Sequence, residues 1–454
     1  MLLFDSVKKE KLALKKEGVI TMYLCGPTVY DNAHLGHARS SICFDLLRRV
    51  LLSLGRKLYF ARNYTDIDDK ILKKMQESGE SLEQITQKYI AHYERDMKNL
   101  RVLEPDLKPK ATEYIKQMIE LILHLQRQGF TYTLEDGIYF DTSKDKEYLS
   151  LSKRGFMDNQ TRLIAQKEKK SESDFVLWKF DEGFYAAPFG KGRPGWHSEC
   201  VAMIEALFKD SLDIHAGGVD LFFPHHENEA AQCRCAFNKN LASHWLHNGF
   251  VNINGEKMSK SLNNSFFIKD ALKEFSGEAL RFYLMSVHYR AHFNYSLEDL
   301  SLCKKRLDKL YRLKKRLDLN SLEDKPKKCE RELSLTILQA LQDDLNISKA
   351  LALLDEFIAN ANLKLDENKA LKEGLREDFK ELAFIFGVGF EDVILYFQQG
   401  FNKEQIAWIE TQITKRSEAK KAKDYALADK LRQDLAEFGV VLLDTPQGTI
   451  WERA

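Results

Sequence analysis

The sequence predicts an α/β protein: a doubly wound parallel sheet with an insertion, followed by an α-helical region and a small α+β unit. Three observations lead to this expectation. A strand, a helix and a second strand follow one another near the N-terminus, the chain is nearly all helical from about Ser296, and two short apolar strands flank a turn near residue 446. The first pattern indicates parallel strands, because their connection has the length of a crossover helix.

The first strand is predicted over residues 19–25, a continuous apolar run that ends at Gly26 and Pro27. A helix with an apolar face is expected over residues 35–54, and the second strand over residues 57–64. Sheets of this Rossmann-like type bind ligands beyond the carboxyl ends of their strands. The residues expected at that edge are Cys25, His34 and Thr65.

The sheet is predicted to be split by an insertion. Residues 80–130 have helical patterns, and 130–190 combine the strand-like pair Tyr139–Phe140 with polar and charged stretches. Sheet character resumes near 212–215 and 251–253, a helix is expected to start at Ser296, and a hairpin is expected in the last fifteen residues. We therefore expect a sheet domain in 1–130 and 190–255, a connective insertion in 130–190, a loop and stem region in 256–300, a helical domain in 301–400 and a C-terminal unit in 401–454.

Composition narrows the class of protein. The 454 residues are 44% apolar and 30% charged, which suits a soluble chain of two to four domains. There is no run of about 20 apolar residues and no basic N-terminal region before an apolar one, so neither a membrane span nor a signal peptide is expected. The seven cysteines are odd in number and unevenly placed, which indicates reduced thiols in the cytoplasm.

The net charge of +1 does not indicate a nucleic-acid binder. Residues 301–332 are an exception, with twelve Lys/Arg against six Asp/Glu and leucines at helical spacing. One interpretation is an amphipathic helix with a solvated face. The other is a basic face toward an RNA backbone, which the motifs below favour.

Two separated motifs indicate a nucleotide phosphate site. His34 and His37 lie one turn apart where a helix opens after a strand, and helix N-termini attract phosphate. Far downstream, Lys257 and Lys260 belong to a Lys-Met-Ser-Lys-Ser run that could close on the same phosphates as a mobile loop. Alone, the lysine run would be interpreted as an exposed loop.

A metal site is the second chemical expectation. Pro224 is typical of a helix start, and His225 and Glu229 then share one helix face. An N ligand and an O ligand at this spacing could hold zinc, and Cys200 and Cys25 could supply thiolates. The alternatives are a solvated polar helix start and small buried cysteines. Cys233 and Cys235 cannot easily point the same way on a helix, so they are not expected to share a metal.

At this point the chain resembles class I aminoacyl-tRNA synthetases, and within them the cysteinyl-tRNA synthetase family. The resemblance runs through almost the whole chain. It departs slightly at Leu35, where isoleucine is usual, and at Ala216, where glycine is common. The motifs that carry the resemblance are Tyr23-Leu24-Cys25-Gly26-Pro27-Thr28-Val29-Tyr30, Asn63-Tyr64-Thr65-Asp66-Ile67-Asp68-Asp69-Lys70, Gly195-Trp196-His197-Ser198-Glu199-Cys200, Phe223-Pro224-His225-His226-Glu227-Asn228-Glu229 and Asp444-Thr445-Pro446-Gln447-Gly448-Thr449-Ile450-Trp451.

The resemblance implies an enzyme that activates cysteine with ATP and transfers it to the 3′ end of tRNA(Cys). It implies one Zn²⁺ per chain that selects the cysteine thiolate, ATP with Mg²⁺ as substrate, and no separate editing domain. We expect Glu229 to be the weak zinc ligand, because four protein ligands leave no open position. The implied residues are Cys25, Cys200, His225 and Glu229 for zinc; His34, His37, Lys257 and Lys260 for catalysis; the same four with Asp220 and Ser259 for ATP; and Thr65, Trp196 and Asp220 for cysteine.

Several of these assignments keep an alternative. Asp220, at a strand end, suits a ribose hydroxyl or the substrate amine, but it could also be a helix N-cap. Trp196 could be ordinary core packing. Trp451 and the basic run 415–423 could contact RNA in the implied anticodon-binding unit 401–454, or they could be a small core and a solvated helix face. The protein is expected to be a cytoplasmic monomer.

Two other functions remain open. A ligase that joins cysteine to an amino-sugar acceptor would keep the zinc and phosphate motifs but lack the tRNA-binding end. A non-catalytic RNA-binding relative would be expected to lose His34, His37 or Lys260. The matching C-terminal motif disfavours the first, and the three retained residues disfavour the second.

Overall fold

The computed structural model describes residues 1–14, 17–153, 169–253, 256–257, 266–445 and 448–453, with backbone alone at 256, 257 and 369. Ser259 and Lys260 lie outside the described residues, as does the side chain of Lys257. The N-terminal part contains β1 Leu2–Asp5, β2 Glu10–Ala13, β3 Val19–Leu24, α1 Leu35–Ser53, β4 Lys57–Arg62, α2 Asp69–Ser78, α3 Leu82–Asn99 and α4 Ile115–Arg127.

The inserted segment is a sheet of its own. Its four antiparallel strands follow chain order, whereas the sequence had suggested a strand only at Tyr139–Phe140. The missed strands are short or highly charged at their exposed positions, so their apolar alternation is weak. The strands are β5 Thr131–Leu134, β6 Gly137–Phe140, β7 Phe175–Tyr185 and β8 Gly192–Pro194.

The chain then returns to the first sheet. The prediction for residues 212–215 was correct, but 251–253 form part of a separate small sheet with residues 256–257 and 293–295, and a strand at 242–248 was missed. That strand contains two histidines and an asparagine, which obscure its apolar pattern. The elements are α5 Trp196–Phe208, β9 Leu212–Gly218, α6 Glu227–Phe237, β10 Ala242–Asn248, β11 Val251–Ile253, β12 Glu256–Lys257, α7 Ile268–Glu274, α8 Gly277–Met285 and β13 Phe293–Tyr295.

The central sheet is parallel throughout, with strand order β10-β9-β3-β4. Successive side chains of β3 enter two different cores: Met22 packs with α1, and Tyr23 packs with α4, α5 and α6. Both faces are therefore covered, as a doubly wound sheet requires. The predicted fold class is confirmed.

The downstream region is helical, as expected. Ser296 caps α9 by accepting a hydrogen bond from the backbone N–H of Asp299. The leucines at helical spacing are buried, whereas Lys305 and Lys309 are exposed; Lys314 is an exception, because it is buried. The helices are α9 Leu297–Arg316, α10 Glu332–Leu341, α11 Ile347–Glu367, α12 Lys372–Phe386 and α13 Val393–Phe397. Among the described residues, no helix is both long and apolar enough to cross a membrane.

The C-terminal unit has its own small core. The predicted hairpin is present, with β14 and β15 antiparallel. Trp451 is 2% exposed and donates a hydrogen bond to Glu410 at 2.6 Å, so it packs in this core and does not present a free face to a base. The elements are α14 Lys403–Lys421, α15 Tyr425–Glu437, β14 Val440–Thr445 and β15 Gly448–Arg453.

Replacing this buried ring should loosen the C-terminal unit. We expect Trp451→Ala to lower the free energy of unfolding of that unit by about 3–5 kcal/mol, because it opens a cavity in a very small core. Hydrogen exchange of the amides in 401–445 measures the effect. Trp408→Ala is the matched control, since Trp408 is 38% exposed and should cost much less. Equal effects of the two changes would contradict this account of the core.

Candidate functional site

A cleft lies at the carboxyl ends of the central strands. Cys25 follows β3, Thr65 lies just beyond β4, and Asp220 lies just beyond β9; all three line the cleft. The loops after β3 and β4 approach each other so closely that a Cβ on Gly26 would lie 1.7 Å from the carbonyl oxygen of Asn63. Only glycine fits at that position, which explains the Cys-Gly-Pro sequence at the strand end.

The four predicted zinc ligands meet at one wall of this cleft, which Cys25, Cys200 and His225 line. The ligand atoms of Cys25, Cys200, His225 and Glu229 all lie within 4.8 Å of one another. The two sulfur atoms are 3.8 Å apart, and His225 Nε2 lies 2.8 Å from Glu229 Oε1. The predicted face shared by His225 and Glu229 is therefore present. The predicted helix start is present: Phe223 is extended (φ −141°, ψ 136°), and the backbone is helical from Pro224, first within the π-helical segment Phe222–His226 and then as α6 from Glu227.

The donor set matches the chemistry of zinc. Two thiolates bound at about 2.3 Å to a tetrahedral ion would lie about 3.8 Å apart, which is the separation of Cys25 Sγ and Cys200 Sγ. Two sulfurs, an imidazole and a carboxylate are borderline-soft donors, which suit Zn²⁺ and not Mg²⁺. His225 contacts His197 through its other ring nitrogen, with the two Nδ1 atoms 3.0 Å apart.

A second, deeper group of donors was not foreseen. Cys25, His215, His226 and Glu229 also bring their ligand atoms within 4.8 Å of one another. His215 Nε2 lies 2.7 Å from Glu229 Oε2, and His226 Nδ1 lies 2.8 Å from His247 Nε2. Of these four residues only Cys25 lines the cleft, so the first set is the one that faces a substrate. The sequence contained a signal for His215, because it lies near a strand end shortly before Gly217 and Gly218, where ligands often bind. No feature of the sequence distinguished His247 from a core residue.

The electrostatics of the wall reflect burial and close contacts. Burial alone would raise the pKa of Glu229, but its contacts with His225 and His215 hold that pKa well below its usual range. Burial raises the pKa of the Cys25 thiol, whereas the hydrogen bond with Cys25 lowers the pKa of the Cys200 thiol. A divalent cation at this position would stabilise both thiolates against burial.

His34 and His37 also line the cleft. His34 is the N-cap of α1, and its Nδ1 accepts a hydrogen bond from the backbone N–H of Gly36 at 3.1 Å. His37 Nδ1 accepts one from the N–H of His34 at 3.2 Å, and the rings stack with centroids 3.8 Å apart. Since each Nδ1 is an acceptor, each neutral ring carries its proton on Nε2 and can act as a donor there.

The other predicted residues have distinct surroundings. Thr65 is buried and donates to the carboxylate of Glu199 at 2.8 Å. Trp196 is 38% exposed and stacks on His225 with centroids 4.2 Å apart, so ordinary core packing is the wrong interpretation. The following helical turn has Leu221 at its N-cap position, so Asp220 is not that cap. A Cβ on Gly218 would lie 2.5 Å from the Asp220 carboxylate, so the two residues are close neighbours at the end of β9.

Some lining residues were not singled out beforehand. Lys70, at the start of α2, lines the cleft and lies 5.6 Å from the ring of Tyr30. Ser40 and Ser41 line it one turn after His37. Ala216, where the resemblance departs from the common glycine, is completely buried and packs in the core on one face of the central sheet.

Two family models match this chain. The family model "tRNA synthetases class I (C) catalytic domain" matches residues 11–305, and the "DALR domain" model matches residues 337–391. The computed structure resembles a Mycobacterium tuberculosis methionyl-tRNA synthetase with methionyl-adenylate (TM-score 0.56, 14% identity, 82% of this chain and 89% of that one). It also resembles the LeuRS of an Agrobacterium radiobacter complex with tRNA and LeuAMS (TM-score 0.58, 12% identity, 82% and 84%). At these identities the likeness concerns the fold.

Curated relatives match over the full length. The chain is 64% identical to the cysteine–tRNA ligase of Campylobacter jejuni subsp. jejuni, covering 100% of this chain and 99% of the relative. It is 64% identical to that of Campylobacter lari, with 100% of each chain covered, and 54% identical to that of Campylobacter fetus subsp. fetus, again with 100% of each. From the catalytic-domain match and this full-length identity, we conclude that the chain belongs to the cysteine–tRNA ligase family of class I tRNA synthetases.

Proposed function

We propose that this protein joins cysteine to tRNA in two steps, both at the cleft beyond the parallel strands. ATP and cysteine first form cysteinyl-adenylate and pyrophosphate, and the cysteinyl group then passes to the 3′ end of tRNA(Cys). The observation that carries the proposal is the composition of the cleft: the thiol and imidazole donors of Cys25, Cys200 and His225 face the same space as His34 and His37.

His34 and His37 would act on the phosphates of ATP. Their Nδ1 atoms are held by backbone N–H groups, so their Nε2–H groups are oriented before ATP arrives. Donors that are already oriented stabilise the negative charge developing on phosphate oxygens, because they do not have to rearrange as the transition state forms. The N-terminus of α1 adds its partial positive charge at the same place.

The four-residue donor set would select the amino acid. Zn²⁺ held there would offer a soft Lewis acid that prefers a thiolate to a serine hydroxyl. Cys25, Cys200 and His225 reach the cleft surface, while Glu229 is held beneath by His215 and His225. Thr65 and Trp196 would orient the amino acid beside this wall, and Asp220 would bind its amine or the ribose of ATP.

The remaining parts of the proposal rest on the sequence motif and on charge. Lys257, Ser259 and Lys260 would close on the phosphates from the other side, and Mg²⁺ would accompany ATP. We propose that 301–400 and 401–454 bind the tRNA body and anticodon, with the exposed lysines of α9 meeting phosphates. Partners are then tRNA(Cys), cysteine and ATP.

Two measurements on the purified protein test the proposal. Pyrophosphate exchange should depend on cysteine and not proceed with serine, and metal analysis should find about one zinc per chain. Charging of tRNA(Cys) separates this function from ligation of cysteine to an amino sugar. Cysteine-dependent exchange without tRNA charging would favour that second enzyme, and the absence of exchange would overturn both.

His37 provides a test of the phosphate side. We expect His37→Ala to lower kcat for cysteine-dependent exchange by roughly 10²-fold to 10³-fold, the usual effect of removing one oriented donor from a transition state. His124→Ala, on an exposed position of α4, is the control and should leave kcat unchanged. A His37→Ala enzyme with normal kcat would remove His37 from catalysis.

A further inference from the structure

Helix α8 lies where the catalytic part of the chain meets the helical region. It carries two completely buried charged residues, Glu278 and Arg281, one turn apart on the same face. Neither belongs to the cleft. Both point at one short stretch of backbone, residues 386–390, at the end of α12.

Arg281 donates hydrogen bonds to backbone carbonyl oxygens, one of them in that stretch. Its Nε donates to the carbonyl oxygen of Phe386 at 2.8 Å, and its Nη1 donates to that of Arg101, at the end of α3, at 3.0 Å. Gly387 has a positive φ of 67°, and a Cβ there would lie 2.5 Å from Arg281 Cζ. The turn therefore needs glycine both for its backbone conformation and for the close guanidinium.

Glu278 accepts hydrogen bonds from backbone N–H groups of the same stretch. Its carboxylate accepts hydrogen bonds from the backbone N–H groups of Gly389 at 2.5 Å and Phe390 at 3.0 Å, and from the hydroxyl of Tyr311 at 2.6 Å. Arg101 Nε lies 3.4 Å away and balances the buried charge. Hydrogen bonds to an ionised carboxylate are the strong kind, so this contact holds the loop firmly.

The contacts continue toward the C-terminus. The Tyr311 hydroxyl accepts a hydrogen bond from the N–H of Glu391 at 3.0 Å, and its ring stacks on Tyr396 of α13 with centroids 3.5 Å apart. Gln398, at the end of α13, donates to the carbonyl oxygen of Trp451 in β15 at 3.2 Å. A continuous series of packed groups therefore joins α8 to the C-terminal unit.

We propose that Glu278 is a positioning residue for tRNA charging: by holding the backbone of 389–391, it fixes the C-terminal unit at the distance from the cleft that a bound tRNA requires. This inference rests on the proposed function, because it assigns the positioned partner as tRNA. Backbone recognition suits this purpose, since N–H and C=O groups cannot change rotamer. Glu278 touches no substrate, and adenylate formation should not depend on it.

The test compares the two steps in the full-length chain. Glu278→Gln keeps the shape but leaves one of the two loop N–H groups without an acceptor. We expect kcat/KM for tRNA charging to fall at least about tenfold, mainly through KM for tRNA, while cysteine-dependent exchange stays within about twofold. The amides of Gly389 and Phe390 should exchange with solvent faster. Glu274→Gln, an exposed position four residues earlier, is the matched control and should change neither step.

Tyr311→Phe is a milder second variant, because it keeps the ring stack and removes only the hydroxyl. It should reduce tRNA charging less than Glu278→Gln does, and it should again leave cysteine-dependent pyrophosphate exchange unchanged. If both variants lose pyrophosphate exchange and tRNA charging equally, the proposal is overturned, since Glu278 would then merely support the catalytic fold. Unchanged charging despite faster amide exchange would overturn it as well. Failure of the proposed function is distinguishable, because the wild-type protein would then show neither exchange nor charging.

Discussion

The Cys25→Ser enzyme should fold and bind ATP but activate cysteine very poorly. We expect kcat/KM for cysteine in pyrophosphate exchange to fall by roughly a thousandfold, about 4 kcal/mol of transition-state free energy. The physical reason is that a serine hydroxyl is a poor ligand for a soft metal ion, so the donor set loses one of its two sulfurs. Cys25 is the half-buried sulfur at the cleft surface, 3.8 Å from Cys200.

The readouts for Cys25→Ser separate metal loss from misfolding. Metal analysis should show less zinc per chain, and binding of ATP should change by less than about twofold. Cys235→Ser is the control, because Cys235 lies on α6 outside both donor groups. Full zinc content together with unchanged cysteine activation would exclude Cys25 from the metal site.

Deleting residues 400–454 should abolish efficient tRNA charging and spare adenylate formation. The removed unit has a small core separate from the two large ones, so the cleft and the central sheet should remain intact. We expect kcat/KM for tRNA to fall roughly 100-fold or more, since the truncation removes the basic run 415–423, which we propose to contact tRNA phosphates. Cysteine-dependent exchange should stay within about twofold of the full chain.

The truncation needs its own control. The deletion removes Trp451, whose carbonyl oxygen accepts from Gln398, and Glu452, which pairs with Lys315. A reduced melting temperature with parallel loss of exchange would mean that the tail is structural. If tRNA charging by the full chain falls as the salt concentration rises, and charging by the truncated chain falls less, the lost contribution comes from phosphate contacts.

Local patterns predicted much of the fold. The strand–helix–strand unit at the N-terminus, the cap of α9 by Ser296 and the terminal hairpin are all present, because each depends on residues near one another in sequence. The inserted sheet and the strand 242–248 were missed. Six of the seven residues of 242–248 are buried, polar ones included, so this strand has no apolar alternation to detect. The central strands of the inserted sheet pair across about 40 residues of chain, which local patterns do not reveal.

The candidate site shows the same division. Residue types and spacing predicted that Cys25, Cys200, His225 and Glu229 would suit a metal, and that His34 and His37 would suit phosphates. Their separation in sequence could not place the two sulfurs 3.8 Å apart, and could not reveal that His215 and His226 form a second group behind them. The lysine motif at 257–260 stays a prediction from sequence.

The sequence by itself therefore determined which chemistry the chain can perform, because ligand softness, helix caps and strand ends are properties of residues and their near neighbours. Only the tertiary structure decided which residues act together. Cys25, at the end of β3, meets Cys200 of α5, which lies 175 positions further along the chain, and buried groups such as Glu278 find partners more than a hundred residues away. Those choices follow from close packing and from pairing buried polar groups such as Glu278, which no local pattern encodes.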